Sequence, residues 1–153
     1  MKHFVNWNVN GIRSIIKKDF VKDVEAMNPD VLCLQETKAG PEESRSALEL
    51  LKGYHVIVNC SKARKGYSGT AILSKEEPMN VSCDIGVDEF DQEGRVITAE
   101  YATYFIVILL GSCYIDRLMC NVEITTHDHR FSFVQPQQVF PEFKIPLLAP
   151  VES

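Results

Sequence analysis

The stretch that most constrains this chain is Val31-Leu32-Cys33-Leu34 running into Gln35-Glu36-Thr37-Lys38. Four apolar or near-apolar residues in a row, entered from Asn28-Pro29-Asp30, read as a short strand buried on both faces. The polar cluster then falls at the strand's C-terminal end, where ligands gather in open α/β sheets. Glu36 is thus a hard oxygen ligand standing where a sheet presents chemistry. A second such edge lies upstream, where the β-rich run Phe4-Val5-Asn6-Trp7 leads into Asn8-Val9-Asn10-Gly11. If the two strands are neighbours, Asn8 and Glu36 meet in one pocket. An amide oxygen and a carboxylate suit Mg²⁺, which prefers oxygen ligands and often takes only one or two carboxylates from a protein.

Composition narrows the setting. A chain of 153 residues with 45% hydrophobic and 24% charged residues is expected to form one domain with a sizeable core. No run is long and apolar enough to span a bilayer, and Met1-Lys2-His3-Phe4 passes straight into a strand-like pattern without a secretory h-region. No membrane association and an intracellular location, nucleus or cytoplasm, are therefore expected. The five cysteines (33, 60, 83, 113 and 120) are odd in number and form no CxxC, so they read as buried free thiols rather than as a zinc site or a disulfide framework. The net charge of −5 argues mildly against nucleic-acid binding, although a local basic patch overrides a total.

In order along the chain, residues 3–9 read as a strand. From Ile12 to Met27 a loop gives way to a helix, because Ile15, Ile16, Phe20, Val24 and Met27 recur near helical spacing. Asn28-Pro29 stops it. Ala39-Gly40-Pro41 opens a helix through Leu51, with Glu42 and Glu43 in the first turn complementing the helix dipole. Residues 54–59, 70–74 and 79–83 read as strands, and the basic segment Lys62-Ala63-Arg64-Lys65-Gly66-Tyr67-Ser68-Gly69 as a turn. Residues 84–93 read as an acidic loop, followed by a hairpin of Arg95 to Tyr101 and Tyr104 to Leu110. This order places the chain in the α/β class, with sheets layered against helices. Beyond Leu110 the character changes. Gly111, Pro136, Pro141, Pro146 and Pro150 mark residues 111–153 as a divergent, loop-rich tail, with one strand expected within 115–125. A domain over 1–110 and a tail over 111–153 are expected.

Four motifs stand in sequence: Asn6-Trp7-Asn8-Val9-Asn10-Gly11-Ile12-Arg13, Leu34-Gln35-Glu36-Thr37-Lys38, Gly66-Tyr67-Ser68-Gly69 and Asp91-Gln92-Glu93-Gly94-Arg95-Val96-Ile97. Together, over residues 2–107, they resemble the exonuclease III family of apurinic/apyrimidinic (AP) endonucleases, within the endonuclease/exonuclease/phosphatase superfamily. The last two motifs point to the DNA-repair branch rather than to phosphatase or sphingomyelinase relatives. The resemblance implies the N-terminal part of a four-layered α/β sandwich, monomeric, acting on double-stranded DNA with abasic sites. It implies hydrolysis of the backbone 5′ to the abasic site, dependent on Mg²⁺, with Mn²⁺ as the alternative ion. It also makes Glu36 a metal ligand, Asn8 a metal-site residue and Asn10 a member of the same pocket, and it puts Arg13, Lys65 and Tyr67 on a DNA-facing rim. Such hydrolysis needs a cation on a phosphoryl oxygen and a deprotonated water in line with the leaving oxygen. Basic side chains around the pocket hold phosphates without reading sequence.

The same resemblance calls for a catalytic Tyr at position 110, followed by Pro-Asn, but the chain reads Leu109-Leu110-Gly111-Ser112-Cys113. It has no Gly-Asp-x-Asn and no Ser-Asp-His, and His127-Asp128-His129 echoes the latter only superficially. A shifted reading frame or read-through at a splice site would leave such a break. The expectation is a truncated member of the family, weak or inactive, with no catalytic residue intact. The alternative is a non-catalytic product with residual DNA or partner binding. Each residue also has a plainer role: Asn8 and Asn10 as turn formers, Arg13 and Lys65 as solvated charges, Tyr67 and Trp7 as packing. Asp91 and Glu93 read as an acidic brace and Arg95 as an ion-pair partner.

Overall fold

The computed structural model describes residues 2–110, 120–126 and 132–134. Elements follow in the order β1 His3–Asn8, α1 Ile12–Ile16, α2 Phe20–Met27, β2 Val31–Gln35, α3 Pro41–Leu48, β3 His55–Asn59, β4 Thr70–Ser74, β5 Asn80–Cys83, α4 Asp88–Asp91, β6 Val96–Glu100, β7 Tyr104–Leu110, β8 Cys120–Thr126 and β9 Ser132–Val134. They form two sheets. The first runs β3-β4-β2-β1-β9 and the second β5-β6-β7-β8.

The strand β2 is buried throughout because it is covered on both faces. Successive side chains alternate. Leu32 and Leu34 join Val5, Val9, Ala71 and Leu73 against the helices, where Ile12, Phe20, Val24 and Leu48 complete one core. Val31 and Cys33 join Phe4 and Ile72 on the other face, where Ile97, Ala99, Ile106 and Ile108 of the second sheet complete another. The described residues therefore make three of the layers implied by the resemblance: helices, first sheet and second sheet. On the far face of the second sheet, Phe105 and Leu109 are exposed.

β1 and β2 pair in parallel, with Asn8 opposite Gln35, so their C-terminal ends share one edge. β4 runs antiparallel to both β2 and β3, and its first residue, Thr70, sits opposite Gln35 and Asn59. The exits of β1, β2 and β3 and the entrance of β4 thus meet at one rim of the sheet.

Several boundaries differ from expectation. The stretch from Ile12 to Met27, expected as a loop followed by a helix, is two helices, split where Lys18 N–H bonds the Ile15 carbonyl at 3.0 Å and Asp19 C=O opens α2 by accepting from Asp23. α3 stops at Leu48, and the chain to Leu51 is a turn closed by Leu51 N–H on Leu48 C=O. The acidic loop contains the single turn α4, because the Asp91 carboxylate accepts from the N–H groups of Ile85, Gly86 and Val87 at 2.9, 2.8 and 2.8 Å. Trp7 packs on the helix-side core, its ring 5.3 Å from that of Phe20. The buried-thiol reading holds for Cys33, but Cys60 is half-buried and Cys83 exposed on the edge strand β5. The strand expected within 115–125 lies at Cys120–Thr126, antiparallel to β7, and β9 adds a parallel partner for β1. The rest of the expected tail, including His127 and His129, lies outside the described residues.

Candidate metal centre and its rim

Three loops meet beyond the shared edge, and their backbones are tied to one another. Val9 N–H donates to Gln35 C=O, Gly11 to Glu36 and Ile12 to Thr37, at 3.0, 2.7 and 2.8 Å. Thr37 N–H donates to Gly69 C=O at 3.1 Å and Lys38 N–H to Ser68 C=O at 2.9 Å. Four non-glycine residues of these loops hold left-handed backbone, with φ of 46° at Asn10, 54° at Glu36, 50° at Lys38 and 52° at Ser68. Such conformations carry strain and persist where surrounding contacts over-determine them. Here the inter-loop ladder does so. Gly69 (φ 91°) is required by the same closeness, since a Cβ there would lie 2.3 Å from Thr37 Oγ1.

This backbone brings four side chains, those of Asn8, Asn10, Glu36 and Lys38, into contact. Asn8 Nδ2 donates to Glu36 Oε1 at 2.8 Å, and Asn8 Oδ1 accepts from Asn10 N–H at 3.1 Å. Lys38 Nζ pairs with Glu36 Oε2 at 2.9 Å and donates to Asn10 Oδ1 at 2.5 Å. Burial works to raise the Glu36 pKa, but hydrogen bonds from Lys38 and Asn8 and the charges of Lys38 and Arg95 outweigh it, and the carboxyl stays below its ordinary value. Glu36 is therefore a buried carboxylate held ionised.

The residues fit a divalent cation. Glu36 Oε2 and Asn10 Oδ1 already converge on one cationic atom, the Lys38 ammonium, and both are hard oxygen donors. Asn8, expected as a metal-site residue, sits in the pocket as the group that orients the carboxylate. Among the described residues there is no cluster of three His, Cys, Asp or Glu side chains, so a cation here would draw its remaining ligands from water or substrate. Gln35 Oε1, Thr37 Oγ1 and Ser68 Oγ are buried at this edge without a hydrogen-bond partner among the described residues.

The rim is built around Tyr67. Its hydroxyl accepts from Arg95 Nη2 at 3.0 Å, and the guanidinium groups of Arg64 and Arg95 lie 5.5 and 5.7 Å from its ring centroid. Arg95 also pairs with Glu93 and donates to Leu110 C=O at 2.9 Å. It does more than the expected ion pairing, because it links the turn at Tyr67 to the end of β7. Leu110 itself is buried, at the position where the resemblance calls for a Tyr. Lys65 is exposed on the same turn as Tyr67. Arg13 is exposed on α1, 3.8 Å from Glu43 of α3. Lys38 and Arg64 are the site residues that the sequence reading missed. The signal for Lys38 was its place two residues after Glu36 on a loop too short to carry it far away.

Residues 5–140 match the Endonuclease/Exonuclease/phosphatase family, so the match runs past residue 107, where the motif resemblance ends. The chain is 45% identical over 104 residues to an exodeoxyribonuclease of Bacillus subtilis, covering 67% of this chain and 40% of that protein. It is 44% identical over 105 residues to a DNA-(apurinic or apyrimidinic site) endonuclease of Dictyostelium discoideum, covering 67% of this chain and 28% of that protein. This chain thus spans less than half the length of either relative. Among solved structures, an AP endonuclease from Archaeoglobus fulgidus superposes with a TM-score of 0.55 at 34% identity, over 67% of this chain and 38% of that one.

Proposed function

The chain belongs to the Endonuclease/Exonuclease/phosphatase family, and from that premise we propose that its site is that of a DNA-repair nuclease. The reaction is hydrolysis of the DNA backbone 5′ to an abasic site in duplex DNA, with Mg²⁺ as the cation and Mn²⁺ as a substitute. The observation that carries this reading is the convergence of Glu36 Oε2 and Asn10 Oδ1 on one cation at the sheet edge. When bound there, a divalent ion supplies Lewis-acid polarisation of a phosphoryl oxygen. The chain's own residues do the holding. Glu36, kept ionised, and Asn10 bind the ion, and Asn8 fixes the carboxylate's orientation. Arg64, Lys65 and Tyr67, with Arg95 beneath the Tyr67 ring, form a basic and aromatic rim suited to a phosphate backbone. Arg13, exposed on α1 beside Glu43, is a further candidate for contact with the backbone.

The polypeptide of 153 residues is proposed to be a weak catalyst on its own. Leu110 offers no hydroxyl, and no Gly-Asp-x-Asn or Ser-Asp-His segment is present to activate water or serve as acid and base. General acid–base groups typically contribute about 10²–10⁴-fold in rate. The second reading, a DNA-binding product without turnover, draws on the same rim of Arg64, Tyr67 and Arg95. The test is incision of a duplex carrying one abasic site, with and without Mg²⁺, alongside Glu36→Ala. Slow Mg²⁺-dependent incision lost in Glu36→Ala supports the nuclease. Robust turnover defeats the claim of weakness. Salt-sensitive binding without incision leaves the binding reading.

A further inference from the structure

β5 is the outer strand of the second sheet, and among the described residues nothing pairs with its free side. We propose that this edge is a homodimer interface: β5 of one copy pairs antiparallel with β5 of a second copy about a two-fold axis at Ser82, joining two four-stranded sheets into one. The dimer departs from the monomer that the motif resemblance implies, and it does not draw on the metal reading above.

The phase of the β5–β6 ladder fixes which backbone groups are free. Asp84 N–H donates to Val96 C=O at 3.1 Å, and Asn80 and Ser82 stand opposite Glu100 and Thr98. In an antiparallel pair only alternate residues exchange hydrogen bonds with a given neighbour. Asn80, Ser82 and Asp84 therefore bond β6, and the N–H and C=O groups of Val81 and Cys83 turn to the open side. Groups spaced in this way complement themselves. With the axis at Ser82, Val81 exchanges both bonds with the partner's Cys83, and Cys83 with the partner's Val81, so that every free group of the edge is satisfied. The side chains agree. All of β5 is exposed, and the strip from Met79 to Cys83 carries no charge and no proline, the usual guards of an open edge. Asp84, next in line, is paired with Lys62 at 2.6 Å. Met79 and Ile85 lie on either side of Ser82 at equal distance along the chain, 70% and 57% exposed. The axis carries the Met79 end of one copy to the Ile85 end of the other, so two large apolar side chains that a single copy leaves in water gain cover from each other. A second copy fits this edge better than a foreign strand, because the pattern is symmetric about Ser82 in both its hydrogen bonds and its apolar ends. Pairing uses the edge completely, so assembly through it closes at two. A short ladder with a narrow apolar border makes a reversible dimer, not an obligate one.

The test is sedimentation velocity of the full chain over a dilution series, without DNA or metal. A monomer–dimer equilibrium is expected for wild type. Val81→Pro removes one donor per copy from the interface and none from the β6 ladder, and its ring stands in the open edge. It is expected to weaken dimerisation about tenfold or more, with unchanged fluorescence of Trp7 showing that the chain still folds. The second measurement uses Ser82→Cys in a Cys83→Ser background. Ser82 and its copy form the non-hydrogen-bonded pair at the axis, where Cα atoms lie about 4.5 Å apart, inside the range that a disulfide spans. Oxidised glutathione is expected to join the two copies there, as read by peptide mapping of the non-reduced dimer. A wild-type monomer at every concentration overturns the proposal, as does growth beyond two copies. A dimer that survives Val81→Pro undiminished, or one that gives no cross-link in Ser82→Cys, is held by another surface and overturns it equally.

Discussion

Replacing Gly94 by Ala tests the joint between the two sheets. Gly94 precedes β6 and lies against Cys60, the residue that leaves β3. A Cβ on Gly94 would sit 2.4 Å from Cys60 C, 2.7 Å from its O and 2.8 Å from its Cα. All three are main-chain atoms, so no rotamer change relieves the overlap. The neighbouring contacts resist a backbone shift: Thr70 Oγ1 donates to Gly94 C=O at 3.1 Å, and Lys62 and Ala63 N–H groups donate to Gln92 C=O at 2.8 and 3.0 Å. Gly94 also holds φ of 63°, a left-handed conformation that costs an L-residue about 1–2 kcal/mol. Forcing extra volume into a packed site adds about 1–3 kcal/mol, so Gly94→Ala is expected to cost about 2–5 kcal/mol in all. Gly86→Ala separates the two contributions, since Gly86 holds φ of 83° and nothing lies within 4 Å of the place its added methyl would take. It is expected to cost only the backbone strain, about 1–2 kcal/mol. The assay is urea unfolding followed by fluorescence of Trp7, the single tryptophan. With a slope of about 2 kcal/mol/M, the midpoint should fall by about 0.5–1 M for Gly86→Ala and by about 1–2.5 M for Gly94→Ala. A midpoint for Gly94→Ala no lower than that of Gly86→Ala would refute the close approach of the Cys60 backbone.

Three further outcomes follow from the site and its surroundings. Because the Glu36 pKa is lowered in the folded state, its contribution to stability is full above the ordinary glutamate value of about 4.3 and is lost as pH falls through the folded value; urea midpoints of wild type and Glu36→Gln should therefore converge on acidification, and a constant gap would contradict the assignment. Arg95→Met strands Leu110 C=O and Glu93 and removes the donor to the Tyr67 hydroxyl, with an expected cost of about 1–3 kcal/mol; a double-mutant cycle with Tyr67→Phe should be less than additive, and strict additivity would mean that the two side chains act independently. Burial pushes the Cys33 thiol up to about 12, whereas Cys83 is exposed, so limited alkylation at pH 8 with peptide mapping should label Cys83 and leave Cys33 untouched until the chain unfolds; early labelling of Cys33 would place it outside the inter-sheet core.

What was legible in the sequence was legible for a reason that also marks its limit. Val31 to Leu34 announced a strand covered on both faces, and pairing in register with β1 then brought Asn8 opposite Gln35, one residue from Glu36. Burial on two faces leaves a mark in composition, and adjacency of two strand ends follows from topology. The break between α1 and α2 left no such mark, because Lys17, Lys18 and Asp19 are compatible with continuing the helix and only the hydrogen bonding at Ile15 and Asp19 ends it. Nor did the left-handed backbone at Asn10, Glu36, Lys38 and Ser68, since only asparagine among these residue types favours it. These conformations are imposed from outside the local sequence. The loop after β2 is held by Gly11 and Ile12 on one side and by Ser68 and Gly69 on the other. The same holds for Arg95, whose role is set by Tyr67 and Leu110, 28 and 15 residues away. A local motif can name a carboxylate beside a sheet edge, but the neighbour that neutralises it is chosen by backbone turned against its own preference. The strain at Glu36 and Lys38 and the ion pair between them are therefore one feature. Relaxing either φ to the right-handed or extended region would swing the carboxylate or the ammonium away from Asn10, and the proposed cation site would be lost. The geometry of this pocket depends on three loops holding one another in place, more than on any one of the residues they carry.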